Sequence, residues 1–452
     1  VRHTYIMRLL TAAVFVAIVA GVAGAEGLSI DRCMVRAMAN NPDLRKAEEN
    51  LKAAEERRFQ ALTIFLPSVS LNGLYTHLSE NPPVIDLSAL GRPGITLPRI
   101  AGNPLLQYAA QDNYSTNARI SQSLFSGGRN FSAYRVADAD YQAREAELRL
   151  IRDRVRVDVV RAFYGIIVAR EMKNLAEDAT DQLQKQLDRI GRFMRSGVAT
   201  EYDYLKTEVQ LLSWSPKVTR ADRDLKNALR RLRLLLGESP DSDMTIDGVL
   251  AYEPFDLRVD PAESKRKALA GRPEIAMARA HRRTGVAGTG IKSAELLPQL
   301  TLQYNYNLLD QRQDFTFDRE AWMNWWDLRL VVTWDIFGFG RSLSEIRESK
   351  RKTAQADIEL SALEDEITAE VEDVFEQRLE TAKAVELWKK NVELANRGFA
   401  IAKEKYSNGR MTNVDVLDSQ VALIEARVQY LKALYDDKVV RAEFDRIAAE
   451  NR

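Results

Sequence analysis

Between Leu148 and Ile166 apolar side chains return every third or fourth residue, at Leu148, Ile151, Val155, Val159, Phe163 and Ile166. Leu360, Leu363, Ile367, Val371 and Val374 repeat the spacing. Steps of three and four place such residues on one stripe of a helix that faces other helices. Both stripes lie in stretches that permit very long helices. No proline occurs between Pro104 and Pro216 or after Pro298, and from Ser342 onward the only glycines are Gly398 and Gly409. The first helix is predicted from Gly128 to Arg195, roughly 100 Å at 1.5 Å per residue, and a second of similar length from Arg341 to Ser407. Each ends at a glycine-containing turn, SGVATEYD or NGRMTNVD, after which another helix returns. Pro216 falls inside the first returning helix and predicts a kink or break there.

Four other segments alternate with period two, the signature of strands. QLTLQYNYNL sets Leu300, Leu302, Tyr304, Tyr306 and Leu308 against Gln299, Thr301, Gln303, Asn305 and Asn307. WDLRLVVTWDIF sets Trp326, Leu328, Leu330, Val332, Trp334 and Ile336 against Asp327, Arg329, Val331, Thr333 and Asp335. Weaker copies place Val69, Leu71 and Tyr75, then Tyr114, Ala118, Ile120 and Leu124, on one face. An apolar face with aromatic ends and a polar opposite face fits a transmembrane barrel with a wet lumen, and also an ordinary half-buried sheet. On the barrel reading Leu300, Leu302, Tyr304, Leu328, Leu330 and Trp334 meet lipid, and Gln303, Arg329 and Asp335 face the lumen.

The chain is written twice. Pro42 and Pro67 recur as Pro273 and Pro298 at an offset of 231. Phe125, Arg129, Gly197, Thr200, Asp203 and Leu205 recur as Phe337, Arg341, Gly409, Thr412, Asp415 and Leu417 at an offset of 212. The offset changes once, by 19 residues, between His77 and Tyr114, where the first copy has a longer, proline-rich loop. The organisation expected is a signal peptide (1–25), a first repeat of helix, strand pair and long helical hairpin (26–240), an inter-repeat linker (241–262) and a second repeat (263–452). Four strands cannot close a barrel, and open sheet edges cannot face lipid, so the strands have to be shared between chains. SLFSGGRN and DIFGFGRS are then the two places where strand becomes helix. Gly127, Gly128, Gly338 and Gly340 allow the sharp change of direction there.

Composition narrows the function. Of 452 residues 45% are hydrophobic and 29% charged, as suits a folded chain, and the formal net charge is zero, which argues against a nucleic-acid partner. The single cysteine, Cys33, rules out an intrachain disulfide framework, and the three histidines, His3, His77 and His281, are widely separated. No nucleotide, cofactor, metal or catalytic motif stands out; Gly338-Phe339-Gly340 is a lone glycine pair and not a phosphate loop. Arg8, the apolar run from Leu9 to Val22 and Ala23-Gly24-Ala25 predict a signal peptide cut after Ala25, with an N-terminal anchor as the competing reading. Beyond it no long apolar segment remains, so membrane contact has to use strands.

The ordered set NNPDL (Asn40–Leu44), LPSVSLNGLY, LLPQLTLQYNY, SLFSGGRN, DIFGFGRS, RLLLGE (Arg233–Glu238) and YSNGRMTNVDVLDSQ (Tyr406–Gln420) resembles the TolC-like outer membrane factor family from about Leu28 to the end. The resemblance implies a mixed α and β fold. A homotrimer would form a twelve-stranded outer membrane barrel, four strands per chain, continued by a long α-helical periplasmic tunnel. It implies no enzyme. The protein would be the passive exit duct of a tripartite efflux pump or type I secretion system, set in outer membrane lipid and driven by an inner membrane transporter through a periplasmic adaptor protein. Asp415 and Asp418 would line the tunnel entrance as an acidic ring, and Tyr406 and Asp203 would make a gate contact between inner turns. The family's basic gate residue falls at Met411, with Arg410 one position earlier as the available substitute. The alternative function is a soluble periplasmic coiled-coil scaffold, which osmotic shock would release.

Overall fold

The computed structural model describes residues 27–77, 112–254, 260–310 and 323–448. The expected signal peptide and the longer loop of the first copy lie outside the described residues. The element order is α1 (Ile30–Asn40), α2 (Pro42–Thr63), β1 (Ser68–His77), β2 (Asp112–Phe125), α3 (Arg129–Arg195), α4 (Glu201–Leu235), α5 (Pro261–Gly271), α6 (Pro273–Ala294), β3 (Gln299–Asp310), β4 (Met323–Thr333), α7 (Arg341–Ser407) and α8 (Asn413–Ile447). Helix lengths in the first half are 11, 22, 67 and 35 residues, and the second half repeats all four. None of the described helices is long and apolar enough to cross a membrane, which says nothing of a β-barrel.

The chain divides into two compact units. One comprises Lys52–Gln142 and Arg279–Ile358 and holds an antiparallel sheet of order β1-β2-β3-β4. Pairing in β1–β2 starts at Ser68↔Ser121 and in β3–β4 at Gln299↔Thr333, which are the same pairing once the two repeat offsets are applied. Because successive side chains take opposite faces, the register gathers the alternating residues as expected. Leu302 lies opposite Leu330 and Tyr304 opposite Leu328; Val69 lies opposite Ile120, itself opposite Tyr304.

On the other face the polar residues bond to one another across strands. Arg119 Nε donates to Asn305 Oδ1 (2.9 Å), Asn305 Nδ2 donates to Asp327 Oδ2 (2.9 Å), and Arg329 Nε lies 2.6 Å from the same carboxylate oxygen. Asn117 Nδ2 donates to Asn307 Oδ1 (2.8 Å) in the adjacent row. Gln303 lies opposite Arg329 on this face. The last paired residue of β4 is Thr333, so Trp334 and Asp335 lie beyond the strand that the alternation predicted to include them. Trp334 instead donates its indole N–H to the Leu296 carbonyl (3.1 Å).

The other unit comprises Val1–Leu51, Ala143–Ala278 and Glu359–Arg452. Both predicted apolar stripes are core here. Leu148, Val155, Val159, Phe163 and Ile166 of α3 pack with Cys33 and Ala37 of α1 and with Leu232 of α4. Leu360, Leu363, Ile367, Val371 and Val374 of α7 pack with Ala268 of α5, Ile275 of α6 and Ile447 of α8. A third cluster joins Leu175, Ala179 and Leu183 of α3 to Trp214 of α4 and to Leu417 and Ile424 of α8. Helix α4 runs unbroken through Pro216, which leaves the kink and excludes the break of the two outcomes expected there. Proline at that position removes the N–H that would bond the Leu212 carbonyl. Both residues are exposed in the single chain, where water can satisfy the carbonyl that is released.

The sheet supplies a test of face assignment. Arginine at Leu330 should cost about 2–4 kcal/mol where the apolar face meets the bilayer midplane. Leu330→Arg should therefore reduce assembled protein in the outer membrane fraction, while Gln303→Arg should leave it near the wild-type level. The reverse result would mean that the faces are inverted.

Candidate functional site

Two kinds of joint recur in both repeats, and each kind has nearly the same geometry in its two copies. In the sheet-bearing unit the first strand-to-helix joint is Ser126-Gly127-Gly128-Arg129. Gly127 and Gly128 have φ of +60° and +86°, and Arg129 N–H donates to Ser126 O (3.0 Å). The second is Gly338-Phe339-Gly340-Arg341. Phe339 and Gly340 have φ of +49° and +80°, and Arg341 N–H donates to Gly338 O (2.9 Å). Gly127, Gly128 and Gly340 thus all take the left-handed conformation that favours glycine. Gly338 instead takes the place of Ser126, and Phe339 adopts the left-handed conformation. That conformation costs a residue with a Cβ about 1–2 kcal/mol. Phe339 was missed because an aromatic residue is not a turn signal, although the offset of 212 already aligned it with Gly127.

In the helical unit the joints are the inner turns. Helices α3 and α7 stop at Gly197 and Gly409 (φ +75° and +67°). Val198 N–H donates back to Phe193 O (2.8 Å) and Arg410 N–H to Lys405 O (2.9 Å), a Schellman closure in both copies. Helices α4 and α8 then start with capping boxes. Thr200 Oγ1 accepts from Asp203 N–H (3.1 Å) and donates to Asp203 Oδ2 (2.6 Å). Thr412 Oγ1 accepts from Asp415 N–H (3.2 Å) and donates to Asp415 Oδ2 (2.7 Å). A carboxylate at the third helical position satisfies the cap and suits the positive end of the helix.

Asp203 and Asp415 are thus repeat-equivalent caps. The Thr412 hydroxyl and then the Thr412 backbone N–H hold the Asp415 carboxyl below the ordinary aspartate range. Asp418 is exposed, and the offset matches it to Lys206, so the first inner turn, which carries Glu201 and Asp203, lacks the counterpart of Asp418. Half-buried Tyr406 has its phenol pushed up by burial first and by the nearby Asp203 charge second. Arg410 and Met411 are exposed.

What ties one inner turn to the other within the chain is a residue the sequence did not mark. Asn413 is 2% exposed. Its Nδ2 donates to Thr207 Oγ1 (2.9 Å) on α4, and its Oδ1 accepts from Gln186 Nε2 (2.7 Å) on α3. Thr207, fully buried, donates its hydroxyl to the Asp203 carbonyl (2.8 Å). An asparagine next to a capping threonine reads as a solvated turn, so the sequence offered no signal for this bridge.

The fold is that of an outer membrane channel: an open strand sheet and paired long helices, duplicated. A profile of the outer membrane efflux protein family matches residues 34–238 and 265–446, and the chain belongs to that family. It is a non-enzymatic exit duct of the outer membrane that extends into the periplasm. The cobalt-zinc-cadmium resistance protein CzcC of Cupriavidus metallidurans is 23% identical, covering 78% of this chain and 82% of that protein. The outer membrane efflux protein BepC of Brucella suis is also 23% identical, over 93% and 84%. The alkaline protease secretion protein AprF of Pseudomonas aeruginosa is 24% identical, over 72% and 67%. Among solved structures the CmeC outer membrane channel of Campylobacter jejuni superposes with a TM-score of 0.80 at 16% identity, covering 93% of this chain and 85% of that one. VceC of Vibrio cholerae gives 0.75 at 16%, over 93% and 95%.

Two measurements test this geometry. Asn413→Ala leaves buried partners unsatisfied on α3 and α4 and should destabilise the helical unit by about 1–3 kcal/mol. Arg410→Ala, at an exposed position, should change stability by about 0.5 kcal/mol or less; thermal unfolding followed by circular dichroism compares the two. The Asp415 cap has the opposite pH sign from a histidine switch. Its pKa is depressed on folding, so its contribution is complete above the unfolded value of about 4 and is lost as pH falls through the lower folded value. Amide protection at the start of α8, corrected for intrinsic exchange, should decline in acid in the wild type. In Asp415→Asn it should be lower at neutral pH and flat.

Proposed function

We propose that three copies of this chain form the exit channel of a tripartite efflux pump or type I secretion system. An inner membrane transporter supplies the energy through a periplasmic adaptor. The observation that carries the reading is the four-stranded sheet with one apolar face, one hydrogen-bonded polar face and two outer strands, β1 and β4, beyond which no further strand lies among the described residues. An open edge is untenable in lipid, and three such sheets supply enough strands for a barrel with a wet interior. The helices support the same reading. Tyr202, Leu205, Val209 and Leu212 form an exposed apolar stripe on α4 in steps of three and four, and Leu387, Leu394 and Ile401 form another on α7 in steps of seven. Stripes with that spacing are coiled-coil seams, and a neighbouring copy would cover them. Relatives concerned with metal resistance and with protease secretion are both similar to this chain, so the cargo class is left to the pump.

The inner turns would form the gate at the periplasmic mouth. Tyr406 lies close enough to Asp203 to feel its charge, and Arg410 stands in the same turn. Three copies of Asp418, with Asp415 one helical turn earlier, would ring the entrance and favour cations, as acidic rings do in channels. Purified protein in mild detergent should have the mass of three chains and conduct in planar bilayers. Tyr406→Phe with Asp203→Ala should raise single-channel conductance, and Asp418→Asn should lower cation-over-anion selectivity without changing the mass. A non-conducting monomer found in the osmotic-shock fluid would favour the scaffold reading instead.

A further inference from the structure

The duplication makes one seam of the assembly readable from within a single chain. β2 and β3 belong to different repeats, and they pair antiparallel inside the sheet, Ile120 opposite Tyr304 and Ala118 opposite Tyr306, with a register shift between Ser123 and Phe125. β4 is the repeat of β2, and β1 is the repeat of β3. The offsets are accurate at the level of single pairs, because they convert every β1–β2 pairing into the observed β3–β4 pairing. We propose that β4 of one copy binds β1 of a second copy of this chain in the register that β2–β3 shows. In that register Leu330 lies opposite Tyr75, Val332 opposite Gly73 and Val331 opposite Leu74. The proposal rests on the oligomeric reading above and specifies its interface.

Two features that look anomalous in the isolated chain fall into place. Leu74 is the one apolar residue on the polar face of β1, 64% exposed. The transferred register sets it against Val331, an apolar residue on the polar face of β4. Apolar cross-strand pairs are the natural unit of sheet stabilisation. Phe339 is the second. It is 91% exposed in a conformation disfavoured for any residue with a side chain, beside the Phe337 ring at 4.7 Å. Its counterpart Gly127 sits against the connection between α6 and β3, where an added Cβ would lie 2.9 Å from both Ala294 O and Leu297 Cβ. The repeat of that connection is Thr63 and Leu66, between α2 and β1, and Phe65 and Leu66 are exposed. Phenylalanine cannot approach as closely as glycine, so the Phe339 ring lies across Phe65 and Leu66 of the next copy.

Cysteine pairs test the register in a Cys33→Ser background. Residues directly opposite have Cα atoms about 4.5–5.5 Å apart, within disulfide reach, whereas a shift of two residues opens the gap to roughly 7–8 Å. Within one chain β1 and β4 are separated by two strands, so a bond between them has to join copies. Leu74→Cys with Val331→Cys should give a reducible ladder of dimer and trimer on oxidation. Leu74→Cys with Arg329→Cys, and Leu74→Cys with Thr333→Cys, should not. A ladder from an off-register pair overturns the register, and so does a protein with the mass of three chains and no ladder from any pair. A monomeric mass with no ladder overturns the assembly reading itself.

Phe339→Gly separates the aromatic contact from local backbone strain. Loss of a seat on the next copy should lower the temperature at which the oligomer dissociates. A raised temperature would show that Phe339 is only a strained turn residue and would remove it from the interface.

Discussion

A backbone hydrogen-bonding group in a bilayer has no solvent to fall back on, and most of the architecture follows from that constraint. The sheet of this chain satisfies its inner strands, and among the described residues no further strand lies beyond β1 or β4. The polar face is arranged on the same principle. Arg119, Asn305, Asp327 and Arg329 bond laterally across three strands. Charged groups on a wall exposed to water need no such network, but one that links neighbouring strands also resists register slip. A shift by one residue would carry Leu302 and Tyr304 to the polar face and this network to the apolar face.

Much of this was legible in the sequence because the relevant patterns are long. The stripes from Leu148 to Ile166 and from Leu360 to Val374 each extend over several helical turns, and the alternation from Gln299 to Leu308 over a whole strand. A single misplaced residue cannot hide such a period. The errors occur at single positions, where one local interaction decides. Strand β4 ends at Thr333 although the alternation continues to Ile336, because Trp334 turns its indole to the Leu296 carbonyl. Helix α4 continues through Pro216, which removes one backbone bond, that to the Leu212 carbonyl, and does not end the helix. Phe339 took a backbone conformation that its residue type argues against, and only alignment to the other repeat would have revealed it.

The candidate gate shows the same division. The residues that look functional, Asp203 and Asp415, are first of all helix caps, each closing its own first turn through a threonine. The residue that bridges turns, Asn413, looks unremarkable in sequence but is buried between α3 and α4. Chemistry on the surface of a turn is easy to nominate from residue type. A buried polar contact is a property of how three helices meet, and it becomes visible only when they are placed together.

The equality of helix lengths, 67 and 35 residues in both halves, limits how such a chain can change. One residue inserted into α3 would turn everything beyond it by about 100° and swing Leu175, Ala179 and Leu183 away from Trp214. Only additions close to whole heptads keep the seam in phase. Each has to be matched in the returning helix and repeated in the other half, or the two inner turns no longer arrive at one level. The reach of the hairpins is therefore a stepped variable that changes in increments of about 10 Å, and four segments have to take each step together.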